Sequence, residues 1–225
     1  SASARPATAQ AAAAAARCAS SAASRSGDAA RYSSRSTRPA SLRKESIEYL
    51  AISFAENWES AGQPDAGKGL ERIREYYRAR ADELHVRDVY EKLGDIYAAT
   101  SQWEASVVAY RIALGEDVGD NGPPHPKWAL ARVNPRVSRK LILALEKKGD
   151  QESNEQAYRE RARLADLYRE GNPTNPTDPA NPASPWWQAN ILDREALDAA
   201  RALTEGSIIE SAKHFHEIAQ IRRKQ

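Results

Sequence analysis

The sequence predicts an all-α fold in which antiparallel helix pairs follow a long N-terminal tail, and three observations carry that prediction. From Ser41 onward apolar residues recur at intervals of three and four, no segment alternates apolar and polar residues as a half-buried strand would, and Gly and Pro clusters separate the periodic stretches. A chain of 225 residues suits one helical body with tails.

Residues 1–40 hold 16 Ala, 9 Ser and 6 Arg. So little large apolar surface does not offset the chain entropy lost on folding, and this tail is expected to be disordered. Residues 1–45 carry a net charge of +6, which leaves −4 for the rest. The pI near 8.6 therefore belongs to the tail, and a nucleic-acid-binding reading of the whole chain is excluded. The alternative function confines binding to the tail, as a basic arm on nucleic acid or an anionic surface, although aromatic partners and dense Lys/Arg clusters are missing there. Cys18 is the single cysteine, so neither an internal disulfide nor a multi-cysteine zinc site is expected. The chain has no Met, so Ser1 is not expected to be the translational start.

Residues 41–170 read as paired helices. Ile47, Leu50, Ala51 and Phe54 form one stripe, ended by Gly62-Gln63-Pro64. Leu70, Ile73, Tyr76 and Tyr77 give a second helix its apolar face, and the pattern repeats over Val89–Tyr97 and Trp103–Leu114. Gly115–Pro126 is a loop by its turn chemistry. Two long helices are expected at Lys127–Lys148 and Gln151–Glu170, divided at Gly149-Asp150, with Pro135 kinking or restarting the first.

Residues 171–185 carry a proline at every third position, the period of polyproline II. Fully extended, the five prolines would span about 37 Å at ~3.1 Å per residue, a stiff linker or, functionally, a ligand for an aromatic groove. Ser184-Pro185 looks like an N-cap followed by a first-turn proline, opening the C-terminal segment 186–225. At least one of Trp186 and Trp187 is expected to pin that segment onto the body, with an exposed partner-binding anchor as the other reading. Leu197, Ala200, Thr204, Ile208, Ser211, Phe215 and Ile218 predict one long last helix, with Gly206 inside it.

Between Arg87 and Asp120 the residues Tyr90, Leu93, Gly94, Tyr97, Trp103, Ser106, Tyr110 and Ala113 fall at spacings that resemble the tetratricopeptide repeat. Gly94 and Ser106 are small where two helices would meet, and the surrounding rings would fill the space about them. The repeat's closing proline would fall at Val118 and is missing. Residues 45–83 resemble a degenerate earlier repeat, and 127–170 a later pair without the signature aromatics. The resemblance implies a short α-solenoid acting as a non-enzymatic scaffold that binds a peptide or helix on its inner face. The inward positions would be Asp88, Glu91 and Asp95, with Ala98 and Ala99 beyond, an acidic stripe suited to a basic partner. Glu160–Tyr168 and Trp186–Asn190 further resemble the C-terminal part of large myxobacterial-type envelope repeat proteins, which implies a periplasmic or envelope-associated setting, although the proline-rich stretch here is longer than that pattern has.

Catalytic chemistry is not predicted, nor is any cofactor. Gly62–Gly69 approaches a phosphate-binding loop, but Gly69 replaces the hydroxyl that would hold magnesium and the preceding segment reads as helix. His214 and His216, two apart on a helix, point about 200° away from each other and do not share a metal. No apolar run approaches the roughly 20 residues that span a bilayer.

Overall fold

The computed structural model describes residues 38–56, 68–80, 83–119, 124–172, 174–175 and 178–224. The Ala-rich tail to residue 37, Cys18, and the Gly62–Gly67 part of the phosphate-loop-like motif lie outside the described residues. Within them the chain is all-α. The helices are α1 (Arg38–Ala55), α2 (Lys68–Tyr76), α3 (Leu84–Ala99), α4 (Trp103–Ala113), α5 (Pro126–Ala129), α6 (Asn134–Lys148), α7 (Gln151–Leu167), α8 (Pro185–Ala189) and α9 (Arg194–Arg223), with a 3-10 turn at Arg78–Arg80.

Local chemistry sets most of these boundaries. Gly149 ends α6 with φ +80°, a left-handed conformation that costs glycine nothing. Asp150 then caps α7, its carboxylate accepting from the Ser153 N–H at 2.8 Å. Ser184 caps α8 in the same way, accepting from the Trp187 N–H at 3.2 Å with Pro185 in the first turn. Pro135 restarts the chain rather than kinking it. It occupies the first turn of α6, after a break in which Asn134 Nδ2 donates to the carbonyls of Trp128 and Ala129 at 2.8 and 3.0 Å.

The core runs through every long helix. It takes Ile47 and Ala51 from α1, Val86, Leu93 and Tyr97 from α3, Ala109 and Ile112 from α4, Val137, Leu141 and Leu145 from α6, Leu164 from α7 and Ala200 from α9. Each helix from α3 onward packs on its long neighbour in sequence: α3 on α4, α4 on α6, α6 on α7, α7 on α9. Helices α1 and α3, and α6 and α9, also meet directly. Leu70, Ile73 and Tyr77 stand at i, i+3 and i+7 on one inward face, the Tyr77 N–H still donating to the Ile73 carbonyl at 2.9 Å, whereas Tyr76 falls about 90° from that face and is exposed.

Two sequence expectations change in the C-terminal third. The proline-rich stretch does not extend. Asn172, Asn175 and Asp178 each accept at their carbonyl from the N–H three residues on, at 2.9–3.1 Å, and the Asn172 N–H donates back to the Asn181 carbonyl at 3.0 Å. The Asn/Asp-Pro repeat thus makes successive turns that close into a compact loop, tied by Asn172 Nδ2 to Asp178 at 2.8 Å. Pro173, Pro176 and Thr177 lie outside the described residues. Both tryptophans beyond it are buried, and Trp186 Nε1 donates to the Ala131 carbonyl at 2.8 Å. In α9 the inward face is Leu197, Ala200, Ser207 and Ser211, with half-buried Thr204, His214 and Ile218. Ile208 and Phe215 are exposed, each one residue past a member of that row, Ser207 and His214.

Candidate functional site

The α3–α4 hairpin is built around the small residues of the repeat-like motif. The Ser106 hydroxyl donates to the Gly94 carbonyl at 3.0 Å, and a Cβ placed on Gly94 would lie 2.6 Å from the Tyr110 ring. Tyr90, Leu93, Tyr97, Tyr110 and Ala113 are buried about this contact, and Trp103 is half-buried at its edge. Burial and the neighbouring Asp95 push the Tyr110 hydroxyl well above its ordinary range, and it donates to Asp95 at 3.0 Å.

On the other side of α3 lie Asp88, Glu91 and Asp95, and they do not form an open acidic surface. Arg87, fully buried, donates to Asp88 at 2.6 Å and to Glu91 at 3.1 Å. Lys140 of α6 donates to Glu91 at 2.8 Å and to Asp95 at 3.0 Å, Lys92 reaches Asp95 at 3.4 Å, and Arg43 of α1 lies 3.5 Å from Asp88. Burial alone would lower the Lys140 ammonium, but Glu91 and Asp95 outweigh it and hold it above its usual value. Each carboxylate of the expected stripe therefore already holds a cation of the same chain, and Glu91 is only 19% exposed. Ala98 is half-buried and Ala99 exposed at the C-terminal end of the same helix.

These pairs join alternate helices in order. Arg43 links α1 to α3, Lys140 links α6 to α3, and Arg136 of α6 reaches Glu195 of α9 at 3.0 Å. A separate network, Arg111–Glu160 at 2.7 Å and Arg163–Glu116 at 2.6 Å, ties α4 and the loop after it to α7. The expected inward residues of α3 consequently share one surface with α1, α6 and the start of α9. What sequence reading missed is α6: Arg139, Leu143 and Lys147 stand four apart in one exposed row beside Lys140. Their helical spacing was visible, but which neighbour they would stand beside was not.

Three of the four histidines have a neighbour in the packing, and His216 is exposed. His214 stacks on Tyr158 with centroids 3.4 Å apart, His125 stacks on Trp128 at 4.0 Å, and His85 pairs with Glu83 at 3.0 Å. Among the described residues no group of three His, Cys, Asp or Glu side chains is placed to hold a metal, and no helix is long and apolar enough to cross a membrane. An open hollow beside α8 is lined by Arg132 and the segment 189–194. Its one carboxylate, Asp193, pairs with Arg132 at 3.1 Å and caps α9. Comparison with protein-family models, with characterised proteins and with solved structures finds no match to this chain.

Proposed function

We propose that the chain is a non-enzymatic scaffold for protein–protein contact, made of tetratricopeptide-like helix pairs, which holds a peptide or helix along the shared face of α1, α3 and α6. The observation that carries this reading is the ordered linkage of alternate helices by Arg43–Asp88, Lys140–Glu91 and Arg136–Glu195, behind a hairpin closed on Gly94 and Ser106. Helices stacked in that way present successive side-chain rows on one side, a surface long enough for an extended or helical segment. A place in a larger envelope-associated assembly belongs to the same proposal and rests on the resemblance of Glu160–Tyr168 and Trp186–Asn190.

The test places photo-crosslinking side chains at Ala99 and Lys147, on the proposed face, and at the exposed Arg159 of α7, and exposes the full chain to short helical peptides. Capture from Ala99 and Lys147 but not from Arg159 is the expected result. Capture from Arg159 alone, or from none of the three, overturns the reading.

A further inference from the structure

The face proposed above differs in charge from the stripe that α3 displays in sequence, and the difference specifies the partner. Asp88, Glu91 and Asp95 are part-buried and each is met by a cation from α1, α3 or α6. On α6 the balance is reversed. Arg139 and Lys147 have no ion pair among the described residues, and Leu143, 44% exposed, stands midway between them in the same row. Arg136 and Arg43 at the margins are 56% and 62% exposed despite their pairs. The two carboxylates nearest to Lys147 in sequence are already engaged elsewhere, Glu146 by Arg161 and Asp150 by Lys148 and the Ser153 N–H. The surface that water meets is therefore cationic with an apolar centre, although the helix beside it is acidic.

Resting on the scaffold reading, we infer that α6 supplies the recognition row of this face and that its partner is an acidic peptide or helix carrying an apolar residue between acidic ones. Arg139 and Lys147 would each take a carboxylate, and Leu143 would take the apolar side chain between them. A spacing of four on both partners brings three contacts onto one line, as two helices packed side by side require. Lys140 stays with Glu91 and Asp95 and positions α6 against α3 rather than touching the partner. A basic partner would meet Arg139 and Lys147 as like charges, while Asp88, Glu91 and Asp95 beside them are already paired.

The probes are three fluorescent helical peptides with one central Leu and either Glu, Gln or Lys at the positions four before and four after it. Binding to the full chain is followed by anisotropy, at low and at physiological salt. The Glu peptide is expected to bind tightest and to weaken as salt rises. The exposed double substitution Arg139→Glu with Lys147→Glu should cost it at least about tenfold in affinity and shift preference to the Lys peptide. Helicity by circular dichroism controls for folding. Glu-peptide binding that the double substitution leaves unchanged overturns the inference. A wild-type preference for the Lys peptide, captured from Ala99, overturns it while leaving the scaffold reading intact. Binding of none of the three overturns both.

Discussion

Replacing Gly94 by Ala tests the helix–helix contact on which the α3–α4 hairpin depends. The new Cβ would lie 2.6 and 2.7 Å from two carbons of the Tyr110 ring, where carbon atoms normally rest at about 3.5–4.0 Å. The ring must retreat by roughly 1 Å, yet it is buried and its hydroxyl is held by Asp95 at 3.0 Å. Overpacking of this kind costs about 1–3 kcal/mol, and a direct clash with a buried ring belongs at the upper end. Against it stands the helix preference of Ala over Gly, about 1 kcal/mol, so a net loss of about 1–2 kcal/mol is expected. Gly206 provides the control. It lies within α9 with no atom within 4 Å of where its Cβ would stand, so Gly206→Ala should gain about 0.5–1 kcal/mol. The same chemical change should thus lower the melting temperature at one site and raise it at the other, by roughly 2–4 °C per kcal/mol for a chain of this size. In a cycle with Tyr110→Leu the Gly94→Ala penalty should largely vanish. Calorimetry in which Gly94→Ala raises the melting temperature as Gly206→Ala does would refute the packing argument.

Three further outcomes follow from other parts of the fold. Trp186→Phe should cost about 1–3 kcal/mol in denaturant unfolding, since it leaves the Ala131 carbonyl without its 2.8 Å donor. Ser184→Ala, which removes the cap of α8, should cost about 1 kcal/mol and leave the far-UV helix signal of the folded chain almost unchanged, because α8 is only one turn long. Burial pushes the Tyr90 hydroxyl up to about 12 and raises those of Tyr110 and Tyr168 as well. Groups with folded values above their unfolded value near 10 contribute stability that is whole below that pH and is lost as pH rises through the folded values. Alkaline unfolding should therefore begin above about pH 10, with part of the tyrosinate absorbance appearing only together with loss of helix; full tyrosinate absorbance in a still-folded chain would contradict this.

The helices were legible in sequence where one local signal sufficed. Gly149 with Asp150, Ser184 with Pro185, and Pro135 each act within a turn of themselves, and the structure uses all three at helix ends. In the proline-rich loop two sequence signals compete: a proline at every third position fits polyproline II, while the intervening Asn, Thr and Asp are turn formers, with an Asn or Asp before each of the first four prolines, and the closing Asn172–Asn181 bond decides between them. The α9 stripe differs because the choice of apolar residues picks Ile208 and Phe215, whereas the packed row keeps a strict three-four alternation from Leu197 through Ala200, Thr204, Ser207, Ser211 and His214 to Ile218 and so runs over small and polar side chains.

The candidate face shows the limit most clearly, because its charge depends on a residue far away in the chain. Asp88, Glu91 and Asp95 look like a free acidic row as long as α3 is read alone; Lys140, 49 residues beyond Glu91, pairs with two of the three. Lys140→Met isolates that effect. The Met stem keeps most of the packing of the Lys stem, while the ammonium and its bonds to Glu91 and Asp95 are lost. Glu91 keeps Arg87, and Asp95 keeps Tyr110 and Lys92, so the stability loss should be modest, about 1 kcal/mol. The larger change is in charge: the face loses one positive charge at the boundary between its acidic and basic rows. The variant should bind a Lys-flanked helical peptide more tightly than the wild type does and a Glu-flanked one less tightly, both differences shrinking with added salt. Unchanged preference for both peptides would mean that Lys140 does not set the charge of this surface, and that the carboxylates of α3 are neutralised by Arg87, Lys92 and Arg43 without it.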